Sequence, residues 1–144
     1  MFPQVFEKVT GSIDKSQPGI LSDYACYALK NRSYPGIVYK KNAETKGMVY
    51  FDLDATKIKK LDFFEGDLYH RKKVSILLSD KNILSKAFVY ILKPEAEYLL
   101  TSHQWSRDSF ETKYLQQFLV SDPGFADKAE GATRYLPDDD KNQD

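Results

Sequence analysis

The segment from Tyr69 to Leu92 constrains the fold more than any other part of this sequence. Two β-rich runs, Tyr69 to Leu78 and Leu84 to Leu92, flank the polar residues Ser79-Asp80-Lys81-Asn82. A short polar turn between two such runs is typical of a β-hairpin. The sequence therefore predicts antiparallel strands in this part of the molecule.

Strand signals also occur in the first third of the chain, where residues that favour turns precede them. Pro18 and Gly19 indicate a turn before one β-prone run, and residues 31–36 indicate a turn before the next. A third run alternates between two faces, as a pleated strand requires. The predicted strands are Ile20 to Leu29, Ile37 to Tyr39 and Thr45 to Leu53.

Helix signals are few and well separated. Pro3 and Gly11 bracket a short predicted helix, since proline favours the first helical position and glycine favours a left-handed cap. Asp54 can cap a second helix that Gly66 would end, which makes Glu65 its last side chain. A third helix is predicted to begin near Asp108, with an apolar face made of Phe110, Tyr114, Leu115, Phe118 and Leu119.

The number and order of these elements indicate the fold class. About five strands with antiparallel hairpins and scattered helices predict an α+β domain, built as a small mixed β-barrel or curved sheet with flanking helices. A chain of 144 residues fits one such domain, which we expect to span residues 1–135. Residues 136–144 are polar and acidic, so they are predicted to form a disordered tail.

Composition and charge argue against several classes of partner. Lys plus Arg and Asp plus Glu number 21 each, so no net field would attract nucleic acid or an anionic membrane. The longest apolar run, Ala87 to Leu92, is far shorter than the roughly 20 residues of a membrane span. No secretory signal is visible, so the expected location is cytoplasmic. Cys26, His70 and His103 show no ligand-like spacing, and no metal site is predicted.

Sequence motifs for phosphate binding, nucleophilic catalysis and zinc binding are absent. The basic cluster Arg71-Lys72-Lys73 could bind nucleic acid, but a solvated face is the simpler interpretation because no aromatic pattern accompanies it. Trp105 could stack on a ligand, although a single tryptophan beside a helix start is more often a core anchor. His70 lies in an alternating strand and is predicted to be exposed.

Glu65 has the most specific environment of the candidate residues. It occupies the last turn of its predicted helix, where the negative end of the helix dipole disfavours a charged carboxylate. Phe63 and Phe64 precede it, and burial among aromatic side chains would raise the pKa of the carboxyl group further. Such a carboxylate suits a general base or acid. The alternative is an exposed glutamate before a glycine cap.

The residues around Glu65 resemble a known family. The segment Leu61-Asp62-Phe63-Phe64-Glu65-Gly66-Asp67-Leu68-Tyr69-His70-Arg71, with Tyr34-Pro35-Gly36 upstream and the strand from Gly47 to Phe51 between them, is similar to the gamma-glutamylcyclotransferase-like superfamily. The similar branch includes avirulence-induced-gene-like plant proteins and gamma-glutamylamine cyclotransferases. The resemblance extends to the last predicted helix, and it implies a small β-barrel with flanking helices and a central cavity.

The resemblance also implies an activity. In this family a gamma-glutamyl compound cyclises to 5-oxoproline and releases its amine, with a glutamate as general base. The family glutamate corresponds to Glu65, and Arg71 would either pair with a substrate carboxylate or only cover a strand. The resemblance places four further residues near the cavity: Tyr34, Pro35, Gly36 and Tyr69. The expected partner is a small gamma-glutamyl substrate, and no cofactor is expected because the bound conformer supplies proximity.

One departure from the family pattern concerns the start of the chain. Family members normally open with a strand and a Tyr-Gly-Thr-Leu loop, whereas this sequence starts at Met1-Phe2-Pro3, which matches only the family residues that come after that loop. We therefore expect either a preceding segment or a non-catalytic relative that kept the cavity as a binding or interaction module. A missing strand would also leave a sheet edge unpaired, which would favour self-association.

Overall fold

The computed structural model describes residues 1–79 and 82–120. The predicted domain end at residue 135 and the predicted tail at 136–144 lie outside these residues. In chain order the elements are α1 (Pro3–Thr10), β1 (Lys15–Leu29), β2 (Pro35–Phe51), α2 (Ala55–Glu65), β3 (Tyr69–Leu78), β4 (Ile83–Leu92), a 3-10 helix (Pro94–Leu99), β5 (Leu100–Gln104), α3 (Arg107–Lys113) and α4 (Leu115–Val120).

The five strands form one antiparallel, curved sheet in the order β2-β1-β3-β4, with β5 also paired to β1. β3 pairs with β1 at Gly19 and Ile20, and β5 pairs with β1 further along at Tyr27 and Leu29. The helices lie before, between and after the strands. This arrangement confirms the predicted α+β class and the curved sheet with flanking helices.

The predicted hairpin is confirmed with nearly the predicted ends. β3 and β4 pair from Tyr69↔Leu92 to Leu78↔Ile83, so every residue of β3 has a partner in β4. The two strands that were predicted at Ile37 to Tyr39 and Thr45 to Leu53 are, in contrast, one continuous strand, β2. The polar residues between them face solvent in the structure. The sequence there lacks the alternation of apolar and polar residues that identifies a strand.

A bulge allows β2 to continue along β1. The register between the two strands shifts between Ser22 and Tyr24. Asp23 and Asn42 have positive φ values of 66° and 70°, and the Asn42 N–H donates to Asp23 Oδ1 at 2.9 Å. Asparagine and aspartate tolerate this left-handed backbone better than most residues do. Four residues of β2, 40–43, lie opposite the single β1 residue Asp23, and these three extra residues bend the long pair of strands and contribute to the curvature of the sheet.

The turn predicted at Pro18 and Gly19 is wrong, because both residues lie inside β1. The carbonyl of Pro18 accepts a hydrogen bond from the Ser79 N–H at 3.2 Å, at the end of β3. At Gly19, an added Cβ would lie 2.7 Å from Val49 Cγ2 and 2.8 Å from Ile76 Cγ2. The glycine therefore serves close packing between three strands rather than a turn.

The first two helices have the predicted ends. α1 ends at Gly11, whose φ of 96° is left-handed, and the Asp54 side chain caps α2 by accepting the Lys57 N–H at 2.8 Å. The last predicted helix begins at Arg107, near Asp108 as predicted, and the Ser106 side chain caps it by accepting the Ser109 N–H. It is, however, divided at Tyr114 into α3 and α4. The 3-10 helix and β5 were not predicted.

Two clusters of apolar side chains form the core. The first joins the helices to the end of the sheet where β4 stops, and the Phe2 and Phe110 rings stack in it with centroids 5.3 Å apart. Trp105 packs against this cluster and its Nε1 donates to the Ser33 carbonyl at 2.9 Å, which confirms it as a core anchor. His70 is exposed, as predicted. None of the helices within residues 1–79 and 82–120 has the length and apolar content needed to cross a membrane.

Candidate functional site

The end of α2 positions two carboxylates on neighbouring turns. Leu61 and Phe64 are buried in the core and fix the rotation of the helix. Asp62 and Glu65 are also three residues apart, so they lie one above the other on an adjacent face. The helix ends at Gly66, where φ is 78° and the N–H donates to the Asp62 carbonyl at 3.2 Å. This turn leads the chain directly into β3.

A cavity of about 270 Å³ opens beside this helix end. Its wall is formed by the end of α2 and by one face of the β3–β4 hairpin. The lining residues are Asp62, Glu65, Gly66, Tyr69, Arg71 and Tyr90. The structure thus brings together three residues that the sequence singled out, Glu65, Tyr69 and Arg71.

Glu65 lies in the cavity wall and is partly buried. Its charge reaches other groups of the site, because it raises the pKa values of Tyr69 and Tyr90. It also raises the pKa of the Met1 amino group, which burial lowers. Glu65 is therefore close to the first residues of the chain as well as to the hairpin.

Tyr69 is a buried phenol that stays neutral. Burial, followed by the negative charge of Glu65, raises its pKa well above the ordinary value. Its hydroxyl donates to the Pro35 carbonyl at 2.6 Å, which ties the start of β3 to the start of β2. Tyr69 therefore offers a fixed, uncharged polar surface to the cavity.

Tyr34, Pro35 and Gly36 lie behind Tyr69 and are not part of the described cavity lining. Tyr34 is buried and its ring meets the Tyr69 ring edge-on, with centroids 6.5 Å apart. A Cβ on Gly36 would lie 3.0 Å from Leu29 Cδ2, so this position favours close packing of strands. Tyr34 and Pro35 therefore support Tyr69, whereas Gly36 packs against Leu29 and Leu92. Direct contact of these residues with a substrate stays a prediction.

Arg71 has a protein carboxylate as its partner. Its Nε donates to Asp62 Oδ1 at 3.0 Å, and its Nη2 donates to Asp62 Oδ2 at 3.4 Å. The guanidinium also lies over the Phe88 ring, 4.7 Å from the centroid. The structure thus adds a third role to the two predicted for Arg71, an ion pair at the edge of the cavity.

Asp62 and Tyr90 were not predicted as site residues. The Tyr90 hydroxyl donates to Asp62 Oδ1 at 2.6 Å. The spacing of Asp62 and Glu65 was visible in the sequence, whereas the role of Tyr90 depends on how the hairpin packs against α2. In the described part of the chain, no three His, Cys, Asp or Glu side chains are grouped so that they could hold a metal ion.

Comparison with known proteins identifies the family. The family model described as "Gamma-glutamyl cyclotransferase, AIG2-like" matches residues 1–107. This chain belongs to that family. The match confirms the resemblance inferred from the residues around Glu65, and it includes all six residues of the cavity wall.

Individual relatives are more distant. AIG2-like protein D from Arabidopsis thaliana is 26% identical over 131 residues, which is 89% of this chain and 84% of the relative. AIG2-like protein C from the same plant is 24% identical over 136 residues, which is 94% of this chain and 76% of the relative. This chain is therefore similar to both along most of its length.

Two solution structures of Arabidopsis thaliana proteins are similar in fold. One has a TM-score of 0.62 at 20% identity, and the match covers 88% of this chain and 76% of that protein. The other has a TM-score of 0.65 at 22% identity, and the match covers 82% of this chain and 78% of that protein. At these identities the likeness shows a shared fold, which agrees with the family match.

Proposed function

We propose that this protein cyclises a small gamma-glutamyl amine, or a related gamma-glutamyl compound, to 5-oxoproline and releases the amine. Membership of the family supports a cyclotransferase-like fold. The observation that carries the proposal is the partly buried carboxylate of Glu65 in the wall of a cavity of about 270 Å³. In this proposal Glu65 is the general base.

The chemistry needs a base because the substrate amine is an ammonium ion at neutral pH. The Glu65 carboxylate accepts one proton from this ammonium, and the freed nitrogen attacks the gamma-carbonyl carbon. A new carbon–nitrogen bond closes the five-membered ring, and the bond to the leaving amine breaks. As that bond breaks, the proton on Glu65 passes to the leaving nitrogen, which regenerates the carboxylate. The ring nitrogen then loses its second proton through Glu65 to the released amine, so the products are the neutral lactam and an ammonium ion, and no redox partner is required.

The cavity would act mainly by restricting the substrate. Nucleophile and carbonyl belong to one molecule, so holding it in a folded conformer supplies the proximity that the reaction needs. Tyr69 is suited to this task because its hydroxyl is fixed at Pro35. Arg71 would bind a substrate carboxylate in competition with Asp62, which already accepts two of its N–H groups.

The experiment measures 5-oxoproline release from a panel of gamma-glutamyl amines. It is run on the 144-residue chain and on a version that is extended by the strand and Tyr-Gly-Thr-Leu loop of the family. In the more active version, Glu65→Gln should lower kcat by about two to four orders of magnitude, the usual effect of losing a general base. Glu111→Gln is the matched control, because Glu111 is exposed on α3 and lies outside the cavity wall.

Two outcomes would contradict the proposal in different ways. If Glu65→Gln reacts at the rate of Glu111→Gln, another group is the base. If neither version releases 5-oxoproline from any compound, but the compounds still perturb NMR signals of the cavity residues, the protein is a binding module rather than an enzyme.

A further inference from the structure

Asp62 is a second carboxylate in the cavity wall, and three elements of the fold meet at it. It lies on α2 three residues before Glu65. It accepts hydrogen bonds from Arg71 on β3 and from Tyr90 on β4. Its own carbonyl accepts the Gly66 N–H, in the turn that ends the helix. One residue thus connects the end of the helix to both strands of the hairpin.

The hairpin register makes this meeting possible. Arg71 and Tyr90 are directly opposite each other in the β3–β4 ladder. Side chains opposite each other in a ladder point to the same face of a sheet. The guanidinium and the phenol therefore approach Asp62 together, and both can donate to the same oxygen, Oδ1.

Tyr90 is held in its protonated, donating form. Burial, the hydrogen bond to Asp62 and the negative charges of Asp62 and Glu65 all raise its pKa. The positive charge of Arg71 lowers the pKa of Tyr90, but it is the smallest of these effects. At neutral pH, Tyr90 is therefore a neutral donor to Asp62.

The ion pair between Arg71 and Asp62 contributes little to global stability. The side chains of Arg71 and Asp62 are 31% and 41% exposed, and ion pairs with this exposure typically contribute about 1 kcal/mol or less. The position of this ion pair in the cavity wall therefore indicates a role in the site rather than in stability. Removing either charge should change the pKa of Glu65 while leaving the free energy of unfolding nearly the same.

We propose that Asp62 is a positioning residue for Glu65, held in place by Arg71 and Tyr90. This inference rests on the proposed function, because it explains how the general base is oriented and how its charge is balanced. The hydrogen bonds of Asp62 with Arg71 and Tyr90, which we call the clamp, fix the last turn of α2, on which Glu65 lies. The Asp62 carboxylate disfavours a second negative charge beside it, and Arg71 offsets that effect.

Other charged or titratable groups also act in this region. They are the same in the Asp62 and Arg71 variants. They are the Met1 amino group, Cys26 on β1, Arg32 and Tyr34 before β2, Tyr69 on β3, Tyr90 on β4 and Arg107 on α3. A variant that changes only Asp62 or Arg71 therefore isolates the contribution of the clamp.

The test monitors the titration of the Glu65 carboxyl by carbon-13 NMR, which needs no substrate. Asp62→Asn removes a negative charge and leaves Arg71 unbalanced, so the midpoint should move down by about 0.5 to 1 pH unit. Arg71→Gln leaves Asp62 unbalanced, so the midpoint should move up by a similar amount. Asp67→Asn is the matched control, because Asp67 is exposed and is not part of the cavity wall.

Activity supplies a second measurement. The acid limb of the kcat/KM profile for 5-oxoproline release should shift in the same two directions. Tyr90→Phe removes a donor without changing the charge, so kcat should fall by about 3- to 10-fold with an unchanged limb. A purely structural clamp would lower the melting temperature without opposite shifts of the midpoint.

The outcomes separate this inference from the proposed function. Opposite NMR shifts support the role of Asp62 even if no compound of the panel reacts, in which case only the proposed function fails. Midpoints that agree in all the variants, or an Asp67→Asn shift as large as that of Asp62→Asn, would overturn the inference.

Discussion

Gly19 and Gly47 offer a sharp test of how the sheet is packed. They are directly opposite each other in the β1–β2 ladder, so they share almost the same backbone setting. Gly19 is buried, whereas Gly47 is exposed and an added Cβ there would have no neighbour within 4 Å. The same substitution to alanine should therefore have opposite effects at the two positions.

At Gly19 the new methyl group would be 2.7 Å from Val49 Cγ2 and 2.8 Å from Ile76 Cγ2. Both neighbours are β-branched and cannot easily rotate away. Overpacking of this kind costs about 1 to 3 kcal/mol, and the loss of glycine freedom in the unfolded chain offsets about 0.4 to 1 kcal/mol of it. Gly19→Ala should thus lower the free energy of unfolding by about 1 to 2 kcal/mol. Gly47→Ala should raise it by about 0.5 kcal/mol.

The measurement is urea unfolding of both variants and the parent, monitored by circular dichroism. In thermal melts, Gly19→Ala should lower Tm by roughly 2 to 8 °C, given about 2 to 4 °C per kcal/mol for a chain of this size. If Gly19→Ala is as stable as Gly47→Ala, the close approach of β1, β2 and β3 at this point is wrong.

Two further predictions concern buried polar groups near the cavity. Tyr69→Phe should destabilise the protein by about 1 to 3 kcal/mol, because it leaves the Pro35 carbonyl without its donor, whereas Tyr98→Phe at an exposed position should change stability by less than about 0.5 kcal/mol. Equal effects of the two variants in urea unfolding would contradict the first. Burial raises the pKa of the Cys26 thiol to about 11, so the folded state favours the protonated form. The stability difference between the parent and Cys26→Ala should be constant below about pH 8 and should fall by about 2 to 3 kcal/mol as the pH rises towards 11; a flat difference in urea unfolding across this range would contradict it.

The end of α2 was predictable because its signals are local. Asp54 favours a helix start because its side chain can accept the N–H of Lys57, and Gly66 ends the helix because it tolerates a positive φ. These two residues alone place Glu65 in the last turn. The predicted position of the candidate base thus needed no information from the rest of the chain.

Pro18-Gly19 and residues 40–42 show where local signals mislead. Glycine and proline mark turns in most sequences, yet here Gly19 is required by side chains of two other strands, Val49 and Ile76. Lys40, Lys41 and Asn42 are exposed, so their polar character does not distinguish a loop from a strand that faces solvent. In both cases the deciding contacts are distant in sequence and arise only in the assembled sheet.

The contacts of Asp62 with Arg71 and Tyr90 were partly predictable from the sequence. The predicted four-residue turn at 79–82 already sets the hairpin register, because Leu78 opposite Ile83 requires Arg71 opposite Tyr90. The sequence does not, however, show which face of the hairpin packs beside α2. Arg71, with the basic residues after it, is typical of a solvent-facing row, and only the packing of α2 beside that row brings Asp62 to it. Prediction from sequence therefore misses site residues on the polar face of a hairpin that lies next to a helix end. These residues have no pattern of burial that identifies them, and their partners come from another element.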